Sequence, residues 1–324
     1  MNTKFTAVDK NRPDPLVLNK AGRIIKSGGL VAFPTETVYG LGADALNPDA
    51  VRRIYEAKGR PSDNPLILHV DIPALAYRLV EMNPTAERLV NAFWPGPLTL
   101  VLPAKSCVPE ITRGGLDTAA VRMPSNLIAR YIISAAETPI AAPSANLSGR
   151  PSPTNAESVY HDMNGRIDMI VDGGSTDVGI ESTVIDVTNP ERVLLLRPGG
   201  ISREGIEEVI HAELHIPDSK SAKRSPGTHY RHYAPSIPVK IWHRDSDFPE
   251  CDYSSAAYLG IHEPPYETAK ALIFAYYAEY ARELFASFRR LEREGYTCII
   301  VEWPEDNTGI CEGLKDRILR AAYV

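Results

Sequence analysis

The sequence predicts an α/β protein in two unequal parts: a mixed sheet flanked by helices, then a smaller α/β unit. Three observations carry this. Short apolar runs alternate with stretches of helical periodicity as far as residue 211, the pattern of layered α/β folds. Beyond residue 166 the apolar runs at 169–171, 182–187 and 193–196 follow one another too closely for helical crossovers, so the sheet is expected to be mixed. Residues 217–227 (PDSKSAKRSPG) are polar and aperiodic, and the alternation resumes after them.

In chain order, 16–26 reads as a helix through Leu16, Val17, Ala21, Ile24 and Ile25, stopped by Gly28 and Gly29. Residues 30–33 follow as a buried strand that Pro34 ends. Asn47 then Pro48 marks a helix start, with Asn as the N-cap and Pro at the first helical position. That helix carries Val51, Ile54 and Tyr55 and runs out near Lys58 and Gly59. Further strands are expected at 66–70, 98–102, 119–122 and 140–142, and helices at 85–93, 126–136, 156–163 and 203–211. In the smaller unit, strands are expected at 239–242, 256–259, 272–275 and 298–301. A helix over 279–293 shows the stripe Ala281, Leu284, Phe285, Phe288 and Leu291, and another over 312–322 closes the chain. The expected division is 1–212, a linker over 213–236, and 237–324.

Composition narrows the class. Of 324 residues, 44% are hydrophobic and 23% charged, enough apolar content for a sizeable core. Thirty-five basic against 41 acidic residues leave a net charge of −6, which argues against a uniformly basic nucleic-acid coat. The charge is uneven: residues 1–150 hold 17 basic and 13 acidic groups (+4), and residues 151–324 hold 18 and 28 (−10). The front part can hold an anion. Cys107, Cys251, Cys298 and Cys311 form no C-x-x-C pair and suit a reducing cytosol, so a cytoplasmic location is expected. Residues 1–15 are polar, so no secretory signal is expected, and no apolar run approaches the ~20 residues of a membrane span.

Several short motifs carry candidate chemistry. FPTETVYGLG (33–42) reads as a strand-to-loop turn with two hydroxyls and two glycines past the carboxyl end of a strand, where open α/β sheets bind ligands; a Thr-capped turn is the plainer alternative. In KGRPSDNP (58–65), Lys58 and Arg60 would project to one side of an extended, proline-stiffened loop and suit phosphate oxygens; a basic helix end is the alternative. His69 stands alone on a strand, where histidine is more often structural. AAPSANLSGRPSP (141–153) is small, hydroxyl-rich and proline-braced, a loop able to cradle an anion or simply a turn-rich connection. GIEST (179–183) and LRPG (196–199) offer Ser182 and Arg197 as ligand contacts. SPGTHYRHYAP (225–235) packs two His, two Tyr and an Arg into five positions, and Tyr and Arg can stack on a purine and hold phosphate; chance aromatics on a linker are the alternative. His229 and His232 lack further ligands at metal-site spacing. The P-loop, dinucleotide, nucleophile-elbow and HExxH patterns are absent.

Taken with WPGPLT (94–99) and TAAVRMP (118–124), these motifs resemble, in order and spacing over 15–235, the YrdC-like family of threonylcarbamoyl-adenylate synthases, and more closely its long form with a linker and C-terminal domain. The resemblance implies a YrdC-like twisted mixed sheet and a Rossmann-like C-terminal domain. It implies a nucleotidyltransferase that makes threonylcarbamoyl-AMP and pyrophosphate from L-threonine, bicarbonate or CO2, and ATP, with Mg²⁺ as cofactor. The product would feed threonylcarbamoylation of a tRNA adenosine by a separate transferase, with no stable tRNA or membrane binding by this chain. Residue by residue, it implies Lys58 and Arg60 as catalytic, and Lys58, Arg60, Asn64, Thr118, Ser144, Asn146, Ser152, Arg197 and Tyr233 around ATP. It implies Thr35, Thr37, His69, Arg122, Ala142 and Ser182 around threonine, with the Arg122 fork on the carboxylate. Metal ligands are not implied. The span around 230–233 is expected to fold over the first domain as a lid. The chain departs from the pattern at Thr228, where Met is frequent, and in 309–317, which follows the long form's ending only in part. The rival classes are an RNA-binding or ribosome-assembly factor without ATP turnover, and a carbamoyltransferase module, whose zinc-binding part four scattered cysteines exclude.

Overall fold

A computed structural model of the chain describes residues 2–217 and 233–322. Strands β1 (Lys4–Ala7), β2 (Val31–Phe33), β3 (Gly40–Asp44), β4 (Ile67–His69), β5 (Leu98–Pro103), β6 (Thr118–Arg122), β7 (Ile140–Ala141), β8 (Met169–Asp172), β9 (Thr183–Asp186) and β10 (Leu194–Arg197) form one sheet. Its order is β1-β8-β2-β3-β7-β4-β6-β5-β9-β10. Pairs β1/β8, β2/β8, β4/β6 and β5/β9 are parallel. Pairs β2/β3, β3/β7, β4/β7, β5/β6 and β9/β10 are antiparallel, so the sheet is mixed.

Helices cover both faces: α1 (Pro15–Lys26), α2 (Pro48–Lys58), α3 (Pro73–Ala76), α4 (Pro84–Phe93), α5 (Leu127–Ala136), α6 (Ala156–Met163) and α7 (Arg203–Ile210). The period-two alternation of a strand assigns its residues to the two sides. Val31 and Phe33 pack with Leu18, Ala21 and Ile25 of α1 and Ile128, Ile132 and Ile133 of α5. Ala32 between them packs in the opposite core with Val51 and Ile54 of α2, Leu89 of α4 and Val159 of α6. The start of α2 follows its local sequence: the Asn47 side chain accepts from the Asp49 and Ala50 amides, and Pro48 occupies the first turn. Gly59 ends the helix in the left-handed region, φ 61°.

The second unit is a parallel sheet of β11 (Val239–Trp242), β12 (Ala256–Gly260), β13 (Lys270–Ile273) and β14 (Cys298–Glu302) in the order β11-β14-β12-β13, with α8 (Tyr277–Arg293) and α9 (Cys311–Ala322). The stripe Ala281, Leu284, Phe285, Phe288 and Leu291 of α8 is buried, and its core takes in Val38 and Ile180 of the first part. The two units therefore share apolar packing. Their backbones also touch: a Cβ on Gly179 would lie 2.2 Å from the Cα of Arg282, so only glycine fits there.

Three elements differ from the expectation. The motif at 33–42 is not a turn alone, because Gly40 to Gly42 open β3 against β2. β13 begins at Lys270 rather than 272; it is the edge of its sheet, where exposure releases the strand from apolar composition. β1, short and mostly exposed, escaped the hydrophobic pattern. Residues 218–232, with most of the expected lid including Tyr230 and His232, lie outside the described residues. Among the described residues no helix is long and apolar enough to cross a membrane, and the four cysteines are free.

Charge also joins the units. Arg289 of α8 is buried and donates to the Pro151 carbonyl and to both carboxylate oxygens of Asp162, whose side chain is wholly buried. Removing one partner of a buried pair strands the other charge. Arg289→Met is expected to lower stability by about 3 kcal/mol in chemical denaturation, and Arg289→Met with Asp162→Asn to recover most of the loss. Equal losses in the single and double variants would mean that packing, not charge, is what Arg289 contributes.

Candidate active site

A cleft of about 590 Å³, counted to its open mouth, lies over the carboxyl ends of the central strands. Parallel β4 and β6 end there in register, with His69 opposite Arg122. The turn from β2 to β3 brings Thr35 and Thr37, whose hydroxyls bond each other at 2.8 Å; Thr35 Oγ1 also bonds the Val38 carbonyl at 2.7 Å. Ala142 follows β7 and donates its amide to the Ile67 carbonyl. Ser182 precedes β9 and exchanges a hydrogen bond with Thr99 at 2.8 Å. All six residues expected around threonine (Thr35, Thr37, His69, Arg122, Ala142 and Ser182) line this one cleft.

Three guanidinium groups face the same space, Arg122 and Arg197 buried and Arg60 half-buried. Arg122 donates to Thr37 Oγ1 at 3.0 Å and to the Gly96 carbonyl at 3.4 Å. Its other terminal nitrogen lies 2.6 Å from Glu36, a charge contact whose angles fall short of a hydrogen bond. Arg197, at the end of β10, donates to the Ser182 carbonyl at 2.9 Å and to its hydroxyl at 3.3 Å. Arg60 grips the Asn64 and Pro65 carbonyls, and burial, reinforced by Arg197, pulls it down to about 10. Burial likewise lowers Arg197. Both retain their charge at neutral pH, so the cleft is built for an anion.

Of the residues expected around ATP, Arg60, Ser144, Arg197 and Tyr233 line the cleft. Lys58, Asn64, Thr118, Asn146 and Ser152 are buried but are not among its lining residues. Lys58 does not share an extended loop with Arg60; it closes α2, and the left-handed Gly59 turns the chain between them. Its ammonium donates to the Ser144 and Asn146 carbonyls at 2.5 and 2.6 Å, bracing the loop behind the cleft, and burial lowers it well below the ordinary lysine range. The Asn146 amide bonds the Leu147 and Arg150 carbonyls within that loop. Thr118 begins β6, at the end opposite Arg122. Ser152 donates to Glu181 at 2.5 Å.

Glu36 and Glu181 also shape the cleft and are not among the residues the sequence singles out, because the hydroxyls beside them in FPTETVYGLG and GIEST carry the stronger local signal. Arg317, which reaches Glu181 from α9, carries no local signal.

His69 Nδ1 lies 3.1 Å from the Ile67 carbonyl and so carries the proton of a neutral ring. Burial first, then the Arg122 charge, pulls the imidazole down to about 3. Its folded value lies below the unfolded one of about 6.5, so the unfolded chain takes up protons first and stability is lost as pH falls through that window. This costs about 2 kcal/mol by pH 5 relative to neutral pH. The expected outcome is an imidazole NMR signal for His69 that does not titrate between pH 5 and 8. A midpoint near 6.5 would show a solvated ring.

A family model described as "Telomere recombination" matches residues 23–199, and one described as "Threonylcarbamoyl-AMP synthase, C-terminal domain" matches residues 201–323. A threonylcarbamoyl-AMP synthase of Pyrococcus abyssi is 45% identical over 332 residues, covering 93% of this chain and 93% of its own length. One of Bacillus subtilis is 52% identical over 234 residues, covering 70% of this chain and 67% of its own. The crystal structure of P. abyssi Sua5 complexed with L-threonine has a TM-score of 0.89 at 41% identity, over 99% of this chain and 98% of that one. That of Escherichia coli YciO has a TM-score of 0.56 at 25% identity, over 60% of this chain and 95% of that one. From the sheet at its centre to the helices of its second unit, this chain belongs to the Sua5/YciO/YrdC family, in the form that carries the threonylcarbamoyl-AMP synthase C-terminal domain.

Proposed function

We propose that this chain is an L-threonylcarbamoyladenylate synthase, which joins L-threonine, CO2 or bicarbonate, and ATP into threonylcarbamoyl-AMP with release of pyrophosphate. One observation carries the reading: two threonine hydroxyls, a neutral histidine and Arg122 share one cleft with Arg60 and Arg197. That set suits a small amino acid beside a polyphosphate. The relatives named threonylcarbamoyl-AMP synthase, and the related structure complexed with L-threonine, support it.

In this reading the threonine amine adds to CO2 to form a carbamate and releases a proton to water. A carbamate oxygen then attacks the α-phosphorus, and the bond from that phosphorus to the pyrophosphate oxygen breaks. No side-chain nucleophile is consumed, in keeping with a cleft of cations and hydroxyls. The chain supplies position and charge. Arg122, held by Glu36 and Thr37, takes the threonine carboxylate. His69, neutral beside Arg122, adds no charge that would compete for that carboxylate. Arg60 and Arg197 take the charge that moves onto the pyrophosphate. Lys58 keeps the Ser144–Asn146 turn in place and reaches a phosphate only by leaving those carbonyls.

Mg²⁺ would enter with the triphosphate. Among the described residues no group of three or more His, Cys, Asp or Glu side chains could hold a resident ion, and Mg²⁺ commonly binds through substrate phosphates and water. Bound there, it would neutralise phosphate charge. The product would pass to a separate transferase acting on tRNA, in the cytoplasm, and a net charge of −6 suits a chain that does not itself hold RNA.

The test is pyrophosphate release from ATP with L-threonine, bicarbonate and Mg²⁺ omitted in turn. Release that needs every component, and is much weaker with L-serine, is the expected result; none under any combination would sink the reading and favour the RNA-binding class. Arg122→Lys replaces a two-pronged fork by a point charge and is expected to raise KM for L-threonine about tenfold or more while moving KM for ATP little. Equal rises in both constants would place Arg122 elsewhere in the reaction.

A further inference from the structure

Glu181 stands out in this cleft. It is the acidic residue among the lining side chains, in a space that the synthase reading fills with a triphosphate. Bare, its carboxylate would repel that ligand. Its partner comes from the other unit. Arg317 of α9 has no exposed surface, and its Nε donates to Glu181 Oε2 at 2.7 Å. Glu181 Oε1 accepts from Ser152 at 2.5 Å. The guanidinium lies 5.3 Å from the ring centre of Tyr233, which also lines the cleft and stacks on Phe285 of α8. Asp316 bonds Arg317 at 2.5 Å on its other side. Burial pushes the Glu181 carboxyl up, but Arg317 and then Arg197 outweigh it and hold the group below the ordinary carboxylate range. The carboxylate is therefore charged, and its charge is answered from α9.

We infer that Arg317 is a positioning residue for the nucleotide, by which the C-terminal unit completes the cleft: it neutralises Glu181 and so leaves Arg60 and Arg197 disposed toward an anion. The inference rests on the synthase reading for the identity of that anion. Without Arg317, Glu181 would be a buried anion in the wall, drawing on Arg197 instead. The C-terminal unit thereby sets nucleotide affinity through α9, although none of the described residues lining the cleft belongs to that unit. A purely structural Arg317 would affect both substrates alike through loss of fold; a charge-neutralising Arg317 acts on ATP.

Steady-state pyrophosphate release by the full-length chain tests this, with folding followed by thermal melting. Arg317→Met is expected to raise KM for ATP about tenfold and KM for L-threonine less than about twofold. Adding Glu181→Gln removes the stranded charge and should return KM for ATP to within about threefold of the parent value. An unchanged KM for ATP in Arg317→Met, or a rise that Glu181→Gln does not reverse, overturns the inference. Should Arg317→Met not fold, Arg317→Lys decides, because its compact ammonium neutralises Glu181 less completely. KM for ATP then rises about threefold and Glu181→Gln in that background reverses it; no rise overturns the inference. A parent protein that releases no pyrophosphate from ATP sinks the synthase reading and this inference together. A parent that turns over beside an unaltered Arg317→Met sinks this inference alone.

Discussion

A charge taken out of water must find an opposite charge, and this requirement organises the molecule around its cleft. Two guanidinium groups lie buried at the end of the sheet, Arg122 beside Glu36 and Arg197 near Glu181, while the half-buried Arg60 rests on backbone carbonyls. Glu181 in turn requires Arg317, and Asp162 requires Arg289. The last two partners come from the C-terminal unit. Packing of the two units is thus an electrostatic condition of the cleft as well as an apolar contact through Val38, Ile180 and α8.

The same logic explains the loop from Ala142 to Thr154. Its apolar side chains are small or half-buried: Ala142 and Ala145 reach the two cores and Leu147 packs against one. Polar side chains fasten it further: Lys58 on the Ser144 and Asn146 carbonyls, Arg289 on the Pro151 carbonyl, and Asp162 on the Leu147 amide. Glu181 holds Ser152. A reaction that depends on placement rather than on a nucleophile needs such fastening, since small displacements of the reacting groups are costly. The rigid sheet provides the floor, and the braced loops provide the walls.

Most of the scaffold was legible in local pattern. The Asn47–Pro48 start of α2, the stop at Gly59, the apolar stripes of α1 and α8 and the buried runs of β4 to β6 all follow from periodicity and capping chemistry. What escaped were elements whose stability comes from neighbours. β1 is largely exposed and exists by pairing with β8; β3 is rich in glycine and exists by lying between β2 and β7; β13 is an edge strand with exposed lysine and alanine. Strand pairing is non-local, and its hydrogen bonds leave no trace in the hydropathy of a four-residue window.

The site divides along the same line. Which residue types would gather, hydroxyls and cations at strand ends with no triad and no P-loop, could be read from the chain alone, and its motif order pointed to a family. How those residues share the work could not. Lys58 and Arg60 are two positions apart, yet one braces a loop and the other faces the cleft, because a left-handed glycine intervenes. Glu181 and Arg317 are 136 positions apart, and nothing local marks either as the other's partner. Covalent neighbours share chemistry through the chain, whereas the compensation of buried charge is settled by whichever groups the fold brings within a hydrogen bond.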